Sequence, residues 1–245
     1  MTGTLATLLE HAAFYYSAEQ PCPYLPARTE RKLFTRLPDD PRQATTLNGA
    51  LTQAGFRRSH DVVYRPACVA CQACVPTRVV VREFTPSRSQ ARSWRRNQAL
   101  RFLPETELTD EYYDLFRRYQ LARHEASDMV QMSATEFADM VTDGSAALEL
   151  LALRDTSGRL QGALLADALP DGFSAIYSFY EPEPAHRGLG TLLVLRLIDL
   201  AAQRDLPYVY LGYWIAESRK MRYKALFQPQ EQMTATGWQA VALPA

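Results

Sequence analysis

The sequence predicts a mixed α+β fold in two parts, a smaller Cys- and Arg-rich portion over residues 1–103 and a larger one over 104–245. Three observations carry that prediction. The chain is neutral as a whole, yet residues 1–103 hold 15 Lys and Arg against 7 Asp and Glu, and the remainder holds 12 against 20. Three of the four cysteines, Cys68, Cys71 and Cys74, form one CxxCxxC run within YRPACVACQACVPTRV, and Cys22 lies upstream in QPCPYLP. After residue 104 the periodic segments run helix, helix, three strands, Gly-bearing loop, helix, strand. With 47% hydrophobic residues over 245 positions, the chain can bury a sizeable core.

Each element has a local reason. TLATLLEHAAFYY near the start is an amphipathic fragment, and Cys22 to Arg36 shows few periodic cues. Asp39 to Ala54 reads as a helix because Leu47 and Leu51 are four apart, and Gly55 ends it. Phe56 to Arg65 alternates loosely and reads as one strand; Thr77 to Phe84 (TRVVVREF) is a strand rich in β-branched residues. Ser87 or Ser89 then caps a helix on which Arg88, Arg92 and Arg95 share a face, with Arg96 beside it. Pro104 to Thr109 reads as a linker. Asp110 to Glu125 is a helix with Tyr112, Leu115, Phe116 and Tyr119 at helical spacing, and Ser133 to Val141 opens on a Ser133/Glu136 capping box. Strands follow at Ala147–Arg154, Gln161–Ala168 and Phe173–Tyr180, joined by the turn sequences DTSG and LPDG. The loop AHRGLGT opens a helix over Thr191 to Arg204, and the last strand is Tyr208 to Tyr213.

Several function classes are disfavoured. The longest apolar run, Leu189 to Ala202, is broken by Arg196 and Asp199, so no membrane span is expected. The first 27 residues lack Lys and Arg, which argues against a secretory signal and for a cytoplasmic setting. In a reducing compartment clustered thiols favour metal or redox chemistry over disulfides. Four soft ligands, Cys22, Cys68, Cys71 and Cys74, suit zinc or an iron–sulfur cluster; the alternative is four buried thiols. The charge asymmetry suggests a polyanionic partner for the first part. Of 27 basic residues 24 are Arg, whose planar fork grips phosphate with two hydrogen bonds.

Two further stretches carry chemistry. Arg187, Gly188 and Gly190 in RGLG form either a simple turn or a loop whose backbone N–H groups bind a phosphate at a helix N-terminus. YLGYWIAESRKMRYKALFQP, Tyr208 to Pro229, packs aromatic residues beside cations; it is either an exposed basic helix or a wall that holds an anion or a stacked base.

The order of elements after residue 104 is similar to the core of the GNAT acyltransferase fold, so a GNAT-like domain preceded by the smaller Cys/Arg-rich domain is expected. CPYLP, YRPACVACQACVPTRV, YSFYEPEPAHRGLGT and YVYLGYWIAESRKMRYKALFQP together resemble the aminoacyl-tRNA–protein transferases of the N-degron pathway, over about Cys22 to Gln230. The likeness is to the bacterial aspartate/glutamate leucyltransferase branch more than to the eukaryotic arginyltransferases. The latter begin with CxxC and carry an adjacent CC pair; here Leu25 and Ala73 stand at those places, so any cluster would use a different ligand set.

The resemblance implies transfer of leucine from leucyl-tRNA to an N-terminal Asp or Glu of a protein, which marks that protein for degradation. No cofactor is needed for the chemistry, since the donor ester is already activated. The attacking α-amine has a free pKa of about 7.7–8.0, and alignment supplies much of the rate. Tyr180 and Glu181 are the catalytic candidates, the strand end at Ser178–Tyr180 offering oxyanion-binding N–H groups and Glu181 a base. Arg123, Arg222, Lys224 and Tyr213 are substrate-binding candidates, with Lys220 a weaker one. Arg88, Arg92, Arg95, Arg96, Arg187, Gly188 and Gly190 are the tRNA-binding candidates. His124 reads as a packed or surface histidine. The alternatives are arginyl-tRNA as donor, an acetyl-CoA-dependent N-acetyltransferase, and a non-enzymatic RNA-binding module.

Overall fold

The computed structural model describes residues 5–125, 127–142, 147–184 and 187–241. The chain starts with a short helix, α1 (Leu5–His11), and the two-residue strands β1 (Tyr15–Tyr16), β2 (Gln20–Pro21) and β3 (Thr29–Glu30). β4 is Lys32–Arg36. Helix α2 (Pro41–Gln53) begins where sequence rules place a helix start: Asp40 accepts the Gln43 N–H at 2.9 Å and Pro41 occupies the first helical position. The single strand expected over 56–65 is a hairpin instead, β5 (Arg57–Ser59) and β6 (Val62–Pro66). His60, at φ 54, makes the turn, and loose alternation gave no sign of it. These strands form a four-stranded sheet in the order β1-β4-β6-β5. Ala44, Leu47 and Leu51 of α2 pack there with Leu37, Phe56 and Val63.

β7 (Val75–Val80) follows, and a 3-10 turn at Val81–Glu83 replaces the end of the expected strand. α3 (Arg88–Arg96) is capped by Ser87 in a full capping box with Gln90. β8 (Arg101–Glu105) takes in part of the expected linker: Pro104 and Glu105 lie opposite Leu151 and Leu150. Proline is tolerated because β8 is an edge strand. Then come α4 (Asp110–Arg123), α5 (Ala134–Thr142), β9 (Leu148–Arg154), β10 (Leu160–Leu169), β11 (Gly172–Tyr180), α6 (Leu189–Gln203), β12 (Tyr208–Trp214), β13 (Gln230–Thr234) and β14 (Gly237–Ala240).

The last eight-stranded sheet runs β14-β13-β7-β12-β11-β10-β9-β8, antiparallel except for the parallel pair β11/β12 that α6 connects. The expected order of helix, helix, three antiparallel strands, loop, helix and strand is therefore present. The expected division at 103/104 falls inside β8, and the sheet draws β7 and β8 from the first part. The central strands are apolar almost throughout because both faces are covered. Leu151, Leu153, Leu164 and Ala166 face α6; Leu150, Ala152, Ala163 and Leu165 face α4 and α5.

One buried ion pair joins the small sheet to the large one. Arg58 of β5 makes a bidentate pair with Asp167 of β10 (Nη2–Oδ1 2.7 Å, Nε–Oδ2 2.9 Å), and Asn48 of α2 donates to the same carboxylate at 2.9 Å. Both partners are buried, so removing either one strands a charge and costs about 3–5 kcal/mol. Period-2 alternation then turns the neighbouring Arg57 the other way.

Candidate active site

β11 and β12 pair only over Gly172–Ser174 and Tyr208–Tyr210, and beyond those residues they part. Two irregularities sit at the point of parting. The β10/β11 register shifts between Leu165 and Ala166, leaving Ile176 as the extra residue of β11, and the β12/β7 register shifts between Tyr210 and Gly212. A bulge bends the strand that carries it, so paired bulges open a wedge between two strands that would otherwise continue as neighbours. Gly212 has φ +76, and a Cβ there would lie 2.5 Å from the Arg57 Nε. Glycine is thus required twice over, for the backbone and for the arginine that enters the wedge. Arg57 fills it, donating to Ala175 O at 2.6 Å and to Ser174 Oγ at 3.3 Å.

A cavity of about 370 Å³ occupies the wedge. Its cations are Arg57, Lys220 and Lys224, and among the described residues no Asp or Glu lines it. Lys224 is buried and its Nζ donates to the Tyr213 carbonyl at 2.8 Å. Burial, then the nearby Arg57, pull the Lys224 ammonium down to about 7 from its usual value. A buried cationic cavity whose described lining holds no acid favours an anionic group over a cationic one. His124 also lines it, half-buried, with Nε2 3.3 Å from the Tyr119 hydroxyl. Burial first, then Lys220 and Arg123, hold the His124 imidazole below its ordinary range, so it is neutral near pH 7. Tyrosines supply much of the wall: Tyr24, Tyr64, Tyr119, Tyr177, Tyr213 and Tyr223. Burial pushes the Tyr24 and Tyr177 phenols up to about 12, so both remain neutral.

Of the substrate-binding candidates, Lys224 and Tyr213 line this cavity. The Tyr213 hydroxyl is spent on the carbonyls of Tyr64 (3.0 Å) and Gly55 (3.2 Å), which fixes its ring as a wall. The basic segment is not an exposed helix: it holds one 3-10 turn, Arg222–Leu226, that turns Lys224 inward and leaves Arg222 exposed. Arg123 is exposed at the end of α4 and donates to Pro182 O at 3.2 Å. Lys220 lines the cavity rim. Glu181 is outside the lining and is held by Arg118 at 3.1 Å and Arg159 at 3.8 Å. The Tyr180 ring stands 4.8 Å from that of Tyr119 and lies against the first turn of α6, where a Cβ on Gly190 would meet it at 2.8 Å.

The tRNA-binding candidates form one contiguous group. Ser93 of α3 donates to the Gly188 carbonyl at 3.3 Å, and Asn97 donates to Arg187 O at 2.9 Å. Gly188 has φ +67 and starts α6. The Arg187 guanidinium bonds Gln161 Oε1 at 2.8 Å and Asn97 Oδ1 at 3.2 Å. Arg88, Arg92, Arg95 and Arg96 are exposed on α3. Contacts therefore run from α3 through Gly188 and Gly190 to Tyr180, and from Tyr180 to Tyr119 on the cavity wall. Ala185 and His186 of the loop lie outside the described residues.

The four cysteines line a second cavity of about 560 Å³, separated from the first by Tyr24, Tyr64 and Tyr213, which line both. All four are free thiols. Arg28 Nη1 lies 3.1 Å from Cys71 Sγ. The Ala73 N–H, then Arg28, pull the Cys71 thiol down, whereas burial and then the other three sulfurs push Cys74 up to about 12. Among the described residues no three His, Cys, Asp or Glu are placed to hold a metal ion. The four thiols nevertheless converge on one cavity.

Sequence reasoning missed Arg57 and set His124 aside. Alternation along FRRS was the available signal for Arg57, since it sends Arg57 and Arg58 to opposite faces. His124 follows the last residue of α4, and only the packing of α4 on the sheet brings it to the cavity.

Two family models match the chain in order: arginine-tRNA-protein transferase, N terminus, over residues 20–92, and arginine-tRNA-protein transferase, C terminus, over residues 111–234. The aspartate/glutamate leucyltransferase of Parvibaculum lavamentivorans is 51% identical over 93% of this chain and 94% of its own. Those of Methylobacterium nodulans and Paramagnetospirillum magneticum are 49% and 45% identical, covering 92% and 94% of this chain and 94% and 93% of theirs. Among solved structures, L-PGS from Bacillus licheniformis aligns with a TM-score of 0.46 at 14% identity, over 59% of this chain and 48% of that one. With both halves of the family matched and relatives similar along almost their whole length, the chain belongs to the arginine-tRNA-protein transferase family, an aminoacyltransferase family.

Proposed function

We propose that this protein transfers leucine from leucyl-tRNA to the N-terminal Asp or Glu of proteins, with the wedge between β11 and β12 as the place of reaction. One observation carries the reading: the cavity in that wedge gathers Arg57, Lys220 and Lys224 and, among the described residues, no carboxylate. An acceptor that begins with Asp or Glu brings the missing acid. Its side-chain carboxylate lies between Arg57 and Lys224, which positions its α-amine.

The amine attacks the leucyl ester carbon, a C–N bond forms, and the tRNA 3′-terminal oxygen leaves. His124 takes the proton that the amine loses, being neutral and on the cavity wall. Backbone groups of β11 beyond Ser174, free of β12, are available to the developing oxyanion. The ester is already activated, so the reading requires no cofactor. The exposed arginines of α3 grip the tRNA backbone, and contact through Gly188, Gly190 and Tyr180 leads its 3′ end to the cavity. The leucylated product serves as a degradation signal, in the cytoplasm. Among the described residues no helix is long and apolar enough to cross a membrane.

An assay with radiolabelled leucyl-tRNA, arginyl-tRNA or acetyl-CoA and an Asp-initiated peptide tests the reading. Label is expected on the peptide from leucyl-tRNA alone; label only from acetyl-CoA, or from none of the three, overturns it. In the same assay the triple variant Arg92→Ala, Arg95→Ala, Arg96→Ala should bind leucyl-tRNA more weakly, with a log–log salt slope flattened by about 2. An unchanged slope removes α3 from the tRNA surface.

A further inference from the structure

The lining of the reaction cavity changes character from one face of the sheet to the other. Arg57 and Tyr64 come from the small N-terminal sheet, as does the Tyr24 wall from the segment before it. Leu164 of β10, Val194 of α6 and Leu211 of β12 also line the cavity, and all three belong to the apolar cluster between the sheet and α6. The wedge between β11 and β12 is what lets a single cavity touch both.

We propose that Leu164, Val194 and Leu211 form the subsite that receives the donor's aminoacyl side chain and thereby select leucine. The inference rests on the donor reading above and assigns specificity within it. Two arguments lead to it. A branched aliphatic side chain needs a dry apolar wall of about its own size, and these three residues supply the wall from three separate elements that the fold holds rigid. The rest of the cavity excludes the opposite choice. A guanidinium or ammonium side chain needs an acid partner, and the cavity offers three cations and, among the described residues, no carboxylate. The cationic face takes the acceptor's acid, and the apolar face takes the donor's side chain. The ester and the amine then meet at the opening between the strands.

Val194 is the residue to change, because it comes from α6 and not from the strands that define the wedge. Val194→Ala enlarges the subsite. Transfer to an Asp-initiated peptide is measured from tRNA charged with leucine, phenylalanine or alanine. The ratio of kcat/KM for phenylalanyl over leucyl donor is expected to rise about tenfold or more, the range one or two methylenes are worth in an apolar pocket. The KM for the acceptor peptide stays at the wild-type value. Val194→Ile, which narrows the subsite and is the safer variant for folding, should lower leucyl transfer while keeping alanyl transfer. Donor ratios unchanged in both variants, or an acceptor KM that shifts with them, overturn the subsite while leaving the transferase reading intact. Absence of leucyl transfer by the wild-type protein overturns the reading and the subsite together.

Discussion

Two cavities share a wall of three tyrosines and differ in how their charges are met. In the cysteine cavity the lining charges meet each other, Lys32 pairing with Glu30 at 2.9 Å, and Arg28 reaches Cys71 from outside the lining. In the wedge cavity the acceptors of Arg57 and Lys224 among the described residues are neutral, Ser174, Ala175 and Tyr213. A protein that buries a cation without an acid forgoes stability at that point. The smaller cavity holds cations whose charge its own described lining does not meet, which is why the proposed chemistry is placed there.

The comparison breaks most readily at Lys224. Lys224→Met should lower kcat/KM for an Asp-initiated peptide about 10²- to 10³-fold, because removing one partner of a buried charge pair costs about 2–5 kcal/mol. Stability should not fall with it. The folded-state pKa of Lys224 lies below the unfolded one, so its charged form opposes folding at low pH, and that penalty fades as pH rises toward the ordinary lysine value. Thermal midpoints of Lys224→Met should therefore equal or exceed wild type, with the larger gain at pH 6 than at pH 9. A large loss of midpoint would make Lys224 a structural residue instead.

A smaller effect concerns pH. Acceptor capture needs Lys224 charged, which is lost as pH rises through about 7, and attack needs the free amine, which is gained through about 7.7–8.0. kcat/KM at low acceptor concentration should trace a bell between those limbs, and Lys224→Met should lose the alkaline limb. A wild-type profile that only climbs to pH 9 would separate Lys224 from acceptor binding.

The mildest prediction sharpens the contrast from the other side. At pH 7 iodoacetamide should label Cys71 well before Cys74, since the Ala73 N–H and Arg28 favour the Cys71 thiolate while burial disfavours that of Cys74. Peptide mass spectrometry reads the order of labelling, and equal rates would show that the cavity treats its thiols alike.

Much of this architecture was legible in the residues. The 3.6 and 2.0 periods set α4, α5, α6 and strands β9 to β12 within a residue or two, because each element buries a face whose pattern survives in the sequence. β8 was missed because Pro104 reads as a breaker wherever the strand's edge position is unknown. The site was harder. Lys224 was legible as one cation among several, but its burial depends on a single 3-10 turn that linear spacing does not encode. Arg57 reaches the wedge only because Arg58 is anchored to Asp167, 109 positions away in sequence. The charge asymmetry drew attention to the first half as a partner for a polyanion, yet the arginine that enters the wedge lies on β5 and not on the Arg-rich α3.

The central claim is that the wedge cavity recognises a carboxylate. The most direct measurement compares peptides that begin with Asp and with Asn, equal in shape and different in charge, in wild type and in Lys224→Met. The account predicts strong preference for Asp in the wild type and a ratio about 10²- to 10³-fold lower in the variant, what remains being due to Arg57. A preference for Asp that survives the substitution unchanged would contradict it.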